Sequence, residues 1–99
     1  MGITLFRVVE PSEKLDIIAQ NYEYRLPNYL NVKYFVSTYN ELNHIFQLWN
    51  IVFGPNHFRT YGHFDFHIFG RPQRIYVAGE GTAWILNNAH LPHRPAIFI

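Results

Sequence analysis

The segment His63-Phe64-Asp65-Phe66-His67 carries two imidazoles and one carboxylate at alternate positions. Successive side chains of a strand point to opposite faces, so His63, Asp65 and His67 would share one face if this segment is a strand. Such a set can hold a divalent metal such as Zn²⁺ or Fe²⁺ with positions left open for substrate. Residues two apart on a strand lie about 6.5 to 7 Å apart, however, which is wide for one ion. The pattern leaves open a metal- or histidine-dependent enzyme and an ordinary solvated strand face.

The remaining histidines could extend this set. His57 precedes the candidate strand, and His90 and His93 flank a Leu-Pro pair in the tail, which could fold back towards His67. The simpler interpretation of the tail pair is a surface loop. We expect His44 to be a hydrogen-bonded residue at the boundary of a helix. No cofactor other than this possible divalent metal is predicted.

The second half of the chain interleaves arginines with aromatic residues. We predict a binding surface from six of them: Phe58, Arg59, Tyr61, Arg74, Tyr76 and Trp84. Arginines and aromatic rings can clamp and stack single-stranded nucleic acid, which makes such a binder an alternative function. A net charge of +1 argues against a nucleic-acid partner, because that affinity needs a clustered basic surface. Solvated faces of ordinary strands would also explain the arginines.

The composition predicts association. The 99 residues allow one domain, over residues 1–99, with 48% apolar, 18% aromatic and 15% charged residues. A chain of this size buries only about 60 to 65% of its unfolded surface, so some aromatic side chains must stay exposed or meet a partner. We therefore predict a small accessory protein that forms a homodimer and binds another macromolecule, for example another protein. A well-packed monomer with scattered surface tyrosines is the alternative.

Several functional classes lack their signatures. Ser12 and Ser37 stand outside any Gly-x-Ser-x-Gly motif and there is no cysteine, so acyl-transfer chemistry is not indicated. The segment Gly79-Glu80-Gly81 lacks the Lys-Ser/Thr of a phosphate loop and is typical of a hairpin turn. No apolar run approaches the roughly 18 residues that a membrane span needs, and no signal peptide is evident. We therefore expect an intracellular protein without a membrane span, and a binding protein rather than an enzyme.

The elements that would position these residues indicate an α+β fold. A helix beginning at Pro11 should bury one face and end at Pro27; that face comprises Leu15, Ile18, Ala19, Tyr22 and Leu26. We predict strands over residues 3–9, 32–37, 58–69, 74–78, 82–87 and 96–99. The strands after Pro55 should form an antiparallel meander, on which two helices from the first half pack as one layer.

Residues 39–53 allow two interpretations. A helix would gather six apolar residues on one face: Leu42, Ile45, Phe46, Trp49, Val52 and Phe53. The sequence from Thr38 to Glu41 has the form of a capping box, and Gly54-Pro55 would stop the helix. The β-branched and aromatic content favours a strand instead. We expect the helix, buried in the centre of the fold.

The sequence resembles two groups of known proteins, one over part of the chain and the other in overall composition. The stretch from Lys33 to Val36 and from Glu41 to Trp49 resembles the central region of NIPSNAP-type dimeric α/β-barrel proteins. It covers about a fifth of the chain, and that family would continue with a second helix where this sequence has Gly54-Pro55 and strands. In its shortness, lack of cysteine and richness in Tyr, Asn and Phe, the chain is similar to orphan proteins of filamentous viruses of archaea. That similarity implies a viral origin and a host-cytoplasm location.

Overall fold

The computed structural model describes residues 2–67, 70–93 and 95–99. Two helices and six strands follow one another in the order β1 (Gly2–Val9), α1 (Pro11–Ala19), β2 (Lys33–Phe35), α2 (Tyr39–Val52), β3 (Phe58–Asp65), β4 (Gln73–Val77), β5 (Gly81–Leu86) and β6 (Ile97–Phe98). The predicted α+β class is confirmed, with both helices in the first part of the chain. Neither described helix is long and apolar enough to cross a membrane.

The strands form two antiparallel three-stranded sheets rather than one. The first sheet has the order β1-β3-β6 and the second has the order β2-β5-β4. Phe6 and Val36 join them, because each backbone N–H donates to the carbonyl oxygen of the other at 2.7 and 2.8 Å. The predicted meander is therefore wrong in one respect. β4 and β5 form a hairpin, but β3 pairs with β1 along all eight residues of each strand.

Helix α1 is shorter than predicted. It ends at Ala19 because Asn21 and Tyr22 adopt left-handed φ angles of 58° and 59°, and the Tyr22 N–H donates to the Ile17 carbonyl at 2.7 Å. Of the helix residues, Ile17 is buried, whereas Leu15 of the predicted face is 69% exposed. The predicted apolar face was wrong because it assumed a helix running on to Pro27.

Helix α2 confirms the helical interpretation of residues 39–53. The Thr38 hydroxyl oxygen accepts from the Glu41 N–H at 3.1 Å and caps the first turn, and Gly54 has the left-handed φ of 91° expected of a helix stop. Leu42 and Ile45 are buried. The expectation that α2 would be buried throughout is wrong, because its last apolar residues reach beyond the sheet that covers the first turns.

Apolar residues pack on both faces of the first sheet. Leu5 and Val9 of β1 contribute to the larger core, with Phe35 and Trp84 of the second sheet and Phe64 of β3. The smaller core lies under α2 and contains Val8, Val36, Leu42 and Ile45. This alternation along β1 follows from the strand geometry, in which neighbouring side chains point to opposite faces.

Candidate functional site

The predicted metal site is not assembled in the described part of the chain. Strand β3 ends at Asp65, so His67 lies beyond the strand that was expected to align all three ligands. His63 Nδ1 shares a hydrogen bond of 2.8 Å with Thr4 Oγ1, and Asp65 Oδ1 accepts from the His67 N–H at 3.0 Å. No group of three His, Cys, Asp or Glu residues could hold a metal among the described residues.

The tail histidines are packed rather than carried on a surface loop. Leu91 is buried, and the His93 ring stacks on Phe64 with the ring centres 4.0 Å apart. Burial lowers the pKa of His93, against a hydrogen bond to the His63 backbone that raises it. The expectation of a surface loop was wrong because Leu91 and Ala96 belong to the larger core. The stacked His93 ring therefore helps to hold the tail against β3.

Three of the six predicted surface residues lie on β3, where packing and hydrogen bonds fix them. Lys14 Nζ lies 3.9 Å from the ring centre of the half-buried Phe58. Arg59 donates to Asn43 Oδ1 at 2.7 Å, which ties β3 to α2. The Tyr61 ring packs against Phe6, with 6.0 Å between ring centres.

The other three lie in the second sheet and have different surroundings. Trp84 is 5% exposed and belongs to the larger core, so its place on the predicted surface is not supported. Its strand directs every second side chain inwards, and the Arg74 guanidinium covers its ring at 5.1 Å. Tyr76 is 77% exposed. Arg59 lies in the first sheet and Arg74 in the second.

A different site is formed between α2 and the second sheet. It is a cleft of 390 Å³, and its walls come from β1, β2, α2 and the β4–β5 hairpin. The apolar lining consists of Phe6, Val8, Tyr34, Phe35, Val36, Ile45, Trp49, Ile75, Val77 and Ala83, completed by Gly81. Its charged residues are Arg7 and Glu80, which have opposite signs. An apolar group of side-chain size fits such a lining.

Polar contacts join α2 to the β4–β5 hairpin beside the cleft. His44 Nε2 on α2 donates to the Gly79 carbonyl oxygen at 2.6 Å, and Glu41 Oε2 accepts from the Thr82 N–H at 3.1 Å. Gly81 lets the helix come this close, because a Cβ there would lie 2.6 Å from Glu41 Oε2. The hydrogen-bonded boundary role expected of His44 fits this position, where it fastens α2 to the hairpin.

The cleft continues along the last turn of α2. A neighbouring depression of 450 Å³ shares Arg7, Val8 and Trp49 with the cleft and continues to Phe53 and His57. Phe53 is 68% exposed, and its ring lies 6.0 Å from the Trp49 ring in an edge-to-face arrangement. We call the cleft and this depression together the α2 groove.

A buried ion cluster supports the groove at Arg7. Glu13 accepts from Arg7 Nε at 2.8 Å, from Arg7 Nη2 at 2.7 Å and from Lys33 Nζ at 3.0 Å. Burial raises the pKa of the Glu13 carboxyl, but the hydrogen bonds and charges of Arg7 and Lys33 outweigh it and hold that pKa below its ordinary value. Burial also lowers the pKa of Lys33. Because Arg7 Nη1 donates to the Tyr34 carbonyl, the guanidinium is already held by protein atoms.

Sequence reasoning had named part of this site without assigning a function to it. The apolar face of the predicted α2 includes Trp49, Val52 and Phe53. An apolar face of that length on a short helix indicates that other elements do not cover all of it. The ion cluster of Arg7, Glu13 and Lys33 has no comparable signal, because its members come from three separate elements. Comparison of the chain with protein-family models, curated proteins and solved structures found no match, so both resemblances stay predictions.

Proposed function

We propose that this protein is a small intracellular binding protein that acts as a homodimer and holds apolar side chains of another protein in the α2 groove. The observation that carries the proposal is the apolar face of α2. It is covered at Leu42 and Ile45, half-buried at Trp49 and exposed at Val52 and Phe53, next to an apolar cleft.

The chemistry of the lining favours an apolar protein segment over an anionic ligand. Arg7 is the cation in the cleft, and it is paired with Glu13. Each square ångström of apolar surface removed from water contributes about 25 cal/mol, from which the cost of association is subtracted. Exposed apolar surface of this kind on a small protein is typical of interaction sites.

A cleft-filling variant tests this function. The short side chain of Ala83 lines the cleft, so Ala83→Phe should fill it. The neighbouring Thr82 is exposed on the opposite face of β5, and Thr82→Phe serves as the matched control. A peptide-display selection on the wild-type protein should enrich peptides with apolar anchors. Those peptides should bind the Thr82→Phe variant and lose binding to the Ala83→Phe variant.

Two results would count against groove binding. One is the absence of any enriched peptide, and the other is equal binding of enriched peptides to the wild-type and Ala83→Phe proteins. Thermal unfolding of both variants checks that each is folded. The homodimer is tested separately by sedimentation equilibrium of the wild-type chain at several concentrations, where a strict monomer would contradict it.

A further inference from the structure

The edge of the second sheet offers a specific dimer interface. We infer that β4 pairs with β4 of a second copy as antiparallel strands, about a two-fold axis that passes midway between the two copies of Ile75. This inference rests on the homodimer in the proposed function and adds the surface that forms it. Three conditions must hold. β4 must have backbone N–H and C=O groups that are free to pair, and two copies of β4 must have a favourable pairing register. The edge must also lack the features that normally prevent edge strands from pairing.

The hydrogen bonds between the sheets show which backbone groups of β4 are free. Val36 exchanges both its backbone hydrogen bonds with Phe6 of β1, so the backbone groups of Phe35 must face β5. Phe35 pairs with Trp84, whose backbone groups therefore face β2. Trp84 is also opposite Arg74, so the N–H and C=O of Arg74 point outwards from the sheet.

A second contact gives the same result. Thr82 is opposite Tyr76 on β4, yet the Thr82 N–H donates to Glu41 on α2. Thr82 and Tyr76 are therefore not a hydrogen-bonded pair, and the backbone groups of Tyr76 also point outwards. Two residues of β4 thus present two N–H donors and two C=O acceptors at an edge that no other described strand covers.

One register uses all four of these groups in each copy. With Ile75 opposite the partner's Ile75, Arg74 lies opposite the partner's Tyr76 and Tyr76 lies opposite the partner's Arg74. Both of these are hydrogen-bonded pairs, which gives four backbone hydrogen bonds across the interface. The two Ile75 side chains meet as a close, non-hydrogen-bonded pair, and each Arg74 faces an aromatic ring rather than a charge.

The neighbouring registers that keep the faces matched are worse. Centring the pair on Arg74 places two arginines opposite each other and sets Tyr76 against the partner's Pro72, which has no N–H. Centring it on Tyr76 sets Arg74 against the partner's Ala78, which lies in the hairpin turn. The self-complementary register is therefore the one centred on Ile75.

Within the part of the chain that the structure describes, β4 carries none of the usual protection of an edge strand. Its five residues, Gln73 to Val77, include no lysine and no proline, and they pair with β5 without a bulge. Its one charged side chain, Arg74, lies over Trp84 instead of standing across the edge. Ile75 and Val77 also line the cleft, so pairing about a two-fold axis perpendicular to the sheet would place both grooves on the same face.

Opposite charges introduced at Tyr76 test the interface and its register. Tyr76 is 77% exposed and points away from the groove, so its replacement should leave the fold intact. Tyr76→Arg places arginine opposite Arg74 at two positions and should raise the dimer Kd about tenfold. Tyr76→Glu places a carboxylate there and should leave the Kd unchanged or lower it. Tyr29→Arg, at a tyrosine that is 84% exposed outside the sheets, is the control and should leave the dimer unchanged.

Sedimentation equilibrium measures these dissociation constants, and amide hydrogen exchange gives an independent readout. Exchange at the Arg74 and Tyr76 amides should slow as protein concentration rises through the Kd. A dimer whose Kd is the same for wild type, Tyr76→Arg and Tyr76→Glu overturns this interface but leaves the proposed homodimer standing. A wild-type chain that is monomeric at every concentration overturns both, whereas loss of peptide binding in Ala83→Phe concerns the groove alone.

Discussion

Replacing Glu13 by Gln tests whether the buried ion cluster stabilises the fold. The Glu13 carboxylate accepts three hydrogen bonds from cationic side chains, two from Arg7 and one from Lys33. The side chain of Lys33 is 3% exposed and those of Arg7 and Glu13 are 14% exposed. Glutamine keeps the size and one acceptor oxygen but removes the negative charge. The Glu13→Gln protein would therefore hold the buried Lys33 and the half-buried Arg7 with no anion between them.

The expected cost follows from this geometry. Removing one partner from a buried ion pair costs about 3 to 5 kcal/mol, because a buried charge is left uncompensated. We expect about 3 kcal/mol, near the lower end, because the Arg7 and Glu13 side chains are still 14% exposed, so water screens part of the unpaired charge. For a domain of this size, that lowers the Tm by about 12 to 24 °C.

Urea unfolding followed by circular dichroism measures the effect. Glu10 is an exposed carboxylate nearby that accepts from Ser12, so Glu10→Gln is a matched control and should change the free energy of unfolding by less than about 0.5 kcal/mol. The double variant Glu13→Gln/Lys33→Met should be more stable than Glu13→Gln, since one unpaired cation is gone. A Glu13→Gln protein within about 1 kcal/mol of wild type would refute the reasoning.

Three further outcomes are expected. In the folded protein the pKa of Glu13 lies below its ordinary value of 4.5. The stability that the Glu13 carboxylate contributes is therefore complete above pH 4.5 and is lost as the pH falls below it. The difference in unfolding free energy between wild type and Glu13→Gln should shrink in acid, and a constant difference would contradict this. Gly81→Ala adds a steric conflict with Glu41 to left-handed backbone strain, whereas Gly70→Ala, at φ 74° with open space around it, adds strain alone; Gly81→Ala should therefore destabilise the protein more in urea unfolding. Added Zn²⁺ should not raise the Tm, and a rise that disappears in His63→Ala would show a metal site after all.

Local signals in the sequence predicted the elements whose stabilising contacts are close along the chain. The capping residues Thr38 and Glu41 and the stop at Gly54 are sufficient to place α2, because their contacts reach only one turn of helix. The β4–β5 hairpin is equally local, with Gly79 and Gly81 in left-handed conformations that favour glycine. Helix α1 shows the limit of periodicity, since its apolar spacing continued past the residue where the backbone turned.

The pairing of strands could not be derived in this way. Nothing near β3 in sequence indicates that it pairs with β1 instead of β4, because that choice depends on which faces are buried by distant residues. Trp84 illustrates the consequence. Its side chain belongs to the larger core because of the orientation of the second sheet, and an aromatic residue on a strand shows only that one face is apolar.

The candidate site also combines features that the sequence determined with features that only the tertiary structure decided. The sequence by itself determined that α2 carries an apolar face ending in Trp49 and Phe53, since helical spacing is a local property. Only the tertiary structure decided that this face extends beyond the residues that cover it and borders the cleft. It also decided that Arg7, Glu13 and Lys33 meet there. The physical reason is that burial and charge pairing are properties of surfaces brought together from separate parts of the chain.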